Sequence, residues 1–185
     1  MAEHVCPWWL GYFLASPVRR LFENPDKILS EYIRPGMTVL DAGCAMGFFT
    51  LPAARFVGPQ GRVIAVDLQQ RMLDSLRRRA ARAGLLDRIE IHKCGETNLR
   101  ISDLAGQVDF AMAIHMVHEV PDASALLSQL HQVVKTGGRL LIVEPKGHVN
   151  ADAFAATKAA AQQAGFAVVE HPLFKRRWAA LFEKA

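Results

Sequence analysis

The sequence predicts an open α/β fold built on a largely parallel sheet, and three features carry that prediction. Short apolar runs rich in β-branched residues alternate with helix-length segments from residue 37 onward. The first of these runs, Val39-Leu40-Asp41, ends in an acid and turns through small residues into an apolar helical pattern. The last two runs have no helix between them, which places an antiparallel hairpin on the parallel sheet.

The elements follow in order. Residues 1–36 read as a helical cap, in which Asn24-Pro25-Asp26 supplies an N-cap, a first-turn proline and a first-turn acid. That helix is expected to reach Tyr32 and to stop before Arg34-Pro35-Gly36. Strands are expected at 37–41, 63–67, 88–93, 107–114 and 138–144, with helices near 47–57, 69–83, 122–134 and 150–164. Asp122 is the expected N-cap after Pro121, and Gly137-Gly138 the expected end of the same helix. The run from Phe110 to Ile114 is apolar on both faces and belongs at the centre of the sheet. Ala167-Val168-Val169-Glu170 and Trp178-Ala179-Ala180-Leu181-Phe182 form the closing hairpin. No repeat or linker interrupts the chain, so residues 1–185 read as one domain with its core at 37–185.

Bulk composition narrows the class. With 185 residues and 51% apolar content the chain can bury a substantial core. A net charge of +4 and a pI near 9.2 are mildly basic, and nucleic acid is not expected as a partner. Cys6, Cys44 and Cys94 are too few and too scattered for a disulfide framework or a zinc site. They read as reduced thiols of a cytoplasmic protein that needs no metal. The apolar stretch Cys6–Ala15 is shorter than the ~20 residues that cross a bilayer, so stable membrane insertion is not expected. Within it, Trp8, Trp9, Tyr12 and Phe13 read as packing on the core, with a lid over the site as the alternative.

The chemistry concentrates at strand ends. Small residues at Gly43, Ala45 and Gly47 let a ligand approach the backbone closely. Their spacing departs from the G-x-G-x-x-G of dinucleotide binders and suits a compact carboxylate better than a diphosphate. Asp67 closes the next run, Val63-Ile64-Ala65-Val66, at the ~20-residue separation where such folds place an acid on a ribose diol. Gly95-Glu96 follows the third strand, where an acid suits an exocyclic amine. His115, His118 and Glu119 gather after the fourth strand, and His115 is the candidate general base. His118 and Glu119 lack a third ligand for a metal. Arg77-Arg78-Arg79 with Arg82 reads as a solvated helix face. Lys175-Arg176-Arg177 in the hairpin loop reads as solvated too, with an acidic acceptor as the alternative.

At these residues the chain resembles the class I S-adenosylmethionine-dependent methyltransferases, over residues 34–185. Leu40-Asp41-Ala42-Gly43-Cys44-Ala45-Met46-Gly47 is similar to that family's glycine-rich first motif, with Ala45 where glycine is usual. Leu140-Leu141-Ile142-Val143-Glu144-Pro145 after Lys135-Thr136-Gly137-Gly138 is similar to its fifth strand and lead-in. The resemblance implies a doubly wound, Rossmann-like, seven-stranded sheet of order 3-2-1-4-5-7-6. It implies S-adenosyl-L-methionine as cofactor, held at Asp41, Ala42, Gly43, Cys44, Ala45, Gly47, Phe48, Asp67, Leu68, Gly95, Glu96 and His115. Methyl transfer to a small-molecule acceptor is the implied activity, driven largely by alignment and exclusion of water. Base N-methylation is disfavoured, because Ile114-His115-Met116-Val117 stands where an Asn/Asp-Pro-Pro-aromatic motif would lie. Two rival readings remain. A nicotinamide-dependent oxidoreductase lacks support, since neither Tyr12 nor Tyr32 has a lysine four residues on. A non-catalytic cofactor-binding or partner protein on the same fold is the other.

Overall fold

In the computed structural model, which describes residues 19–185, β-branched and apolar runs form strands and amphipathic segments form helices. The aromatic group from Trp8 to Phe13 lies outside the described residues, and so does Cys6. Seven strands make one sheet in the order β3-β2-β1-β4-β5-β7-β6. The chain divides into two compact units at the Cys94–Gly95 boundary.

In the N-terminal unit, α1 (Arg19–Phe22) and α2 (Pro25–Leu29) precede the first strand. Asn24 caps α2 as its sequence predicts, its side-chain oxygen accepting from the N–H groups of Asp26 and Lys27. The helix stops at Leu29, short of the expected Tyr32. Beyond it the chain continues as a turn, with the Tyr32 and Ile33 N–H groups donating to the Leu29 carbonyl, and the Arg34 guanidinium donates to the free carbonyls of Ser30, Glu31 and Ile33.

β1 (Thr38–Ala42) pairs parallel with β2 (Arg62–Asp67), in the register Leu40↔Ile64 and Ala42↔Val66. β2 pairs parallel with β3 (Ile89–Lys93), ending at Asp67↔Lys93. Val39, Leu40, Val63, Ile64, Ala65 and Val66 are fully buried, the pattern of strands covered on both faces. The covering helices are α3 (Thr50–Phe56) and α4 (Gln70–Arg82), the latter burying Met72, Leu73, Leu76 and Ala80. Arg77, Arg78 and Arg82 on its other side are exposed, as the sequence implies. Arg79 departs from that reading and reaches inward, as described below.

In the C-terminal unit, β4 (Val108–Ile114) pairs parallel with β5 (Val134–Pro145), in the register Met112↔Leu141 and Ile114↔Val143. β4 is buried along almost its whole length, as a central strand must be. β5 then pairs antiparallel with β7 (Arg177–Lys184), and β7 with β6 (Phe166–Glu170). The closing hairpin is therefore antiparallel, as expected from the missing helix. Two further helices, α5 (Ala123–Val133) and α6 (Ala151–Gln163), are capped by the side chains of Asp122 and Asn150.

One boundary differs in mechanism. Gly137-Gly138 does not end α5; the helix ends at Val133, and Val134 already has extended backbone paired with Val108. Lys184 replaces the glycine signal. Its ammonium donates to the carbonyls of His131 and Val134 at 2.7 and 3.0 Å, satisfying the end of the helix from β7. Gly137 instead takes φ 73° at the irregularity between β4 and β5. No helix among the described residues is long and apolar enough to cross a membrane.

Phe182 on β7 is fully buried, with its ring 6.3 Å from that of Phe166. Phe182→Ala is expected to lower unfolding free energy by about 3–5 kcal/mol, read as a reduced denaturant midpoint.

Candidate active site

Three alternate residues after β1 hold left-handed backbone: Gly43 at φ 74°, Ala45 at 45° and Gly47 at 83°. Alternating handedness curls the chain into a concavity that gathers backbone dipoles. Glycine adopts this freely, whereas the Cβ of Ala45 makes it cost about 1–2 kcal/mol. Asp67 holds the strained residue in place. One of its oxygens accepts from the Ala45 N–H at 2.8 Å, and the other accepts from the Gln69 N–H at 2.8 Å. The Val66 carbonyl accepts from the N–H groups of Gly43 and Cys44 at 2.9 and 3.0 Å. From α4, Arg79 donates to the Met46 carbonyl. Gly47 faces Leu76 so closely that an added Cβ would overlap its Cδ1.

The turn runs further than the sequence predicts. The helix expected from residue 47 begins at Thr50 and spans seven residues, so the concavity is a property of the turn and its acids. Thr50 is fully buried, and its hydroxyl donates to Asp41 at 2.6 Å. Asp41 is 3% exposed, and burial pushes its pKa up to about 7, with the Thr50 bond opposing and the charge of Asp67 adding. Burial also raises Asp67, against the backbone N–H groups it accepts from. Burial pushes the Cys44 thiol up, so it stays protonated. Two carboxyls that ionise reluctantly in one small space favour a cationic ligand. Phe48 is buried edge-to-face on Phe49 at 5.2 Å, with the Arg19 guanidinium 4.3 Å over its ring. Ala42 is buried and Leu68 half-buried.

The C-terminal unit holds its own candidates. Glu96 is exposed, and the Gly95 N–H donates to the Asn98 carbonyl at 2.8 Å. Gln129 of α5 fixes that loop, accepting from the Leu99 N–H and donating to the Thr97 carbonyl. His115, just past β4, has φ 60°, and its N–H donates to the Val143 carbonyl at 2.8 Å. His118 has the built environment that its neighbour was expected to have. Its Nδ1 lies 2.5 Å from Glu144, which is 1% exposed at the end of β5. The same carboxylate accepts from the Val117 N–H at 2.8 Å. The Glu144 hydrogen bond raises the His118 pKa, partial burial opposes it, and the charges of Glu144 and Glu119 add to the rise. Lys175 and Arg176 stand exposed on the β6–β7 connection, while Arg177 is half-buried and donates to the Lys175 carbonyl.

Asp41, the turn and Asp67, expected from the sequence, lie together in the N-terminal unit, where Thr50 and Arg79 bond to them; sequence reasoning singled out neither of these two, nor Glu144. A signal for Glu144 was present: like Asp41 and Asp67, it ends an apolar run. Nothing in the sequence separated Arg79 from its arginine neighbours.

A concave turn after β1 and an acid ending β2, on a parallel sheet, define the class of α/β proteins that bind nucleotide-like ligands. A family model described as a methyltransferase domain matches residues 33–185, and the chain belongs to that family. It is similar to the demethylmenaquinone methyltransferase of Symbiobacterium thermophilum, 33% identical over 118 residues, covering 63% of this chain and 46% of that protein. The nocamycin O-methyltransferase of Saccharothrix syringae is 29% identical over 139 residues, 72% of this chain and 44% of that protein. The chain spans about half the length, or less, of the curated relatives it matches. A SAM-dependent methyltransferase from Aquifex aeolicus shares the fold with a TM-score of 0.87 at 24% identity, covering 98% of this chain and 100% of that one. A TehB-like methyltransferase from Corynebacterium glutamicum does so at 0.74 and 16%, covering 95% and 98%.

The raised pKa of Asp41 has a signed consequence. Between the ordinary carboxyl value of 3.8 and about 7, the folded protein holds a proton that the unfolded chain releases. The resulting stabilisation is full below that window and is lost as pH rises through it. Asp41→Asn, which cannot ionise, is expected to gain on wild type across the window by on the order of 4 kcal/mol. Calorimetric unfolding of both proteins at the two ends of the window measures the difference.

Proposed function

We propose that this chain transfers the methyl group of S-adenosylmethionine to a small-molecule acceptor, with residues 37–185 acting as its core. The observation that carries the reading is the left-handed turn braced by Asp67 beside the buried Asp41, within the span of the methyltransferase-domain match. Asp41 and Asp67 would hold the cofactor by charge, since burial raises the pKa of both acids and a cation would stabilise their ionised forms. Asp67, already accepting from backbone N–H groups, would also accept from the ribose hydroxyls. Ala42, Gly43, Cys44, Ala45, Gly47, Phe48 and Leu68 would line the methionyl and sugar parts through backbone and close packing. When bound, the cofactor supplies an electrophilic methyl group on a sulfonium.

A small acceptor is supported by the relatives, one named for demethylmenaquinone and one for nocamycin. Ala45 would bear on affinity, because its methyl group would have to be accommodated beside the methionyl part where a glycine carries none.

Isothermal titration tests the reading. S-adenosylhomocysteine is expected to bind and NADH is not. Asp41→Asn should weaken S-adenosylhomocysteine at least tenfold, about 1.4 kcal/mol. Absence of uptake by wild type, or equal affinity in the variant, refutes the proposal.

A further inference from the structure

Leu173, in the connection between β6 and β7, stands in water at 98% exposed, although Pro172 before it is buried and Phe174 after it half-buried. A single exposed leucine needs no explanation by itself. The setting of this one does. The Arg177 N–H donates to the Phe174 carbonyl at 3.1 Å, closing a turn on which Lys175 and Arg176 are both exposed. Arg176 holds left-handed backbone in that turn, at φ 62°, a conformation that a Cβ disfavours. Its carbonyl accepts from the Lys146 N–H at 3.1 Å, which ties the turn to the loop after β5. β5 and β7 pair beside it as Pro145↔Arg177. The two loops thus form one surface, wholly within the C-terminal unit.

That surface carries charge of one sign. Residues 145–149 and 171–176 contain no acid. Lys146, Lys175 and Arg176 are exposed and form no ion pair with a carboxylate of the described residues. Of the flanking acids, Glu144 is buried and bonded to the Val117–Glu119 turn, and Glu170 ends β6. The Lys146 ammonium lies 4.1 Å over the ring of half-buried Trp178, whose N–H donates to the Val149 carbonyl at 2.9 Å. An indole with its N–H satisfied beneath a lysine suits the boundary between water and the apolar part of a bilayer.

An aliphatic tip beside cations that have no carboxylate partner selects among polyanions. Nucleic acid would engage the cations and leave Leu173 in water, since an aliphatic side chain offers no face for stacking bases. An anionic lipid surface satisfies both features, with phosphates for the cations and an apolar layer for the leucine. The exposed arginines of α4 lack the second feature, because no large apolar residue of that helix is exposed. We propose that residues 171–176 together with Lys146 dock this protein on anionic membranes, Leu173 entering the headgroup boundary and the cations meeting lipid phosphates. Docking of this kind is peripheral and needs no spanning helix. It is independent of the methyltransferase reading.

Co-sedimentation of the full chain with lipid vesicles tests the proposal. Vesicles of equal parts phosphatidylcholine and phosphatidylglycerol are expected to bind it at least about tenfold more tightly than phosphatidylcholine alone, and less so as sodium chloride rises. Leu173→Ser should weaken binding about tenfold without changing its salt dependence. Lys175→Glu combined with Arg176→Glu should weaken it by about 25-fold or more and flatten the salt dependence. Arg176→Gly removes one cation while easing its backbone, so its expected loss of about fivefold does not come from misfolding. Glycerol phosphate in solution should not displace the protein from vesicles. The proposal is overturned by absence of binding to the anionic vesicles, by equal binding to phosphatidylcholine alone, or by displacement with glycerol phosphate. Unchanged binding in Leu173→Ser or in the double variant overturns it as well. Duplex DNA bound as tightly as the anionic vesicles, and equally by wild type and Leu173→Ser, would assign the surface to nucleic acid instead.

Discussion

The hydrogen bond from the Ala45 N–H to Asp67 is the constraint on which the N-terminal unit's site depends. Without it a non-glycine residue at φ 45° has no reason to stay left-handed, and the alternation from Gly43 to Gly47 unwinds. The bond spans 22 residues of sequence, so it exists only because β1 and β2 pair in register. A shift of that register by one position would reverse the direction of Asp67 and leave the turn unbraced. Sheet pairing, turn strain and ligand chemistry are therefore one system here. The acid proposed to hold the ribose is also the acid that braces the turn proposed to hold the methionyl part.

That double duty shows what the sequence made legible. The strands were visible because β-branched runs of this length admit few other uses, and the hairpin because too few residues separate Glu170 from Trp178 for a parallel crossover. Helix ends were less visible. Arg34 and Lys184 close α2 and α5 with side chains, one of them from another strand, and neither leaves a local signature like the glycine that was expected. The site divides in the same way. Asp41 and Asp67 announce themselves by position at strand ends. Thr50 and Arg79 acquire their roles from contacts that the folded chain creates, at separations of 9 and 33 residues.

The histidines make the sharper case. Sequence position favoured His115, the first histidine past the apolar strand. The structure gives His115 a backbone role against Val143, and gives His118 the buried carboxylate. A histidine becomes a strong base through its second nitrogen's partner, and that partner lies 26 residues away on β5. No local pattern around residues 115–119 contains that information.

The two units repeat one arrangement. In the first, β1 and β2 pair through Ala42↔Val66, and the next residue of β2, Asp67, accepts a backbone N–H from the loop after β1. In the second, β4 and β5 pair through Ile114↔Val143, and the next residue of β5, Glu144, accepts a backbone N–H from the turn after β4. Each acid is one step beyond the last pair, where a parallel strand brings its side chain level with its neighbour's departing loop. Loops at this edge lack sheet partners for their N–H groups and would otherwise need water or a ligand to satisfy them. An acid supplied by the adjacent strand fixes the loop before any ligand arrives, which lowers the ordering cost of binding. It also leaves negative charge at the strand ends. In one unit that charge suits a cationic cofactor, and in the other it strengthens an imidazole. The same backbone requirement has thus produced two chemically different sites, and the residue placed against each carboxylate decides which chemistry follows.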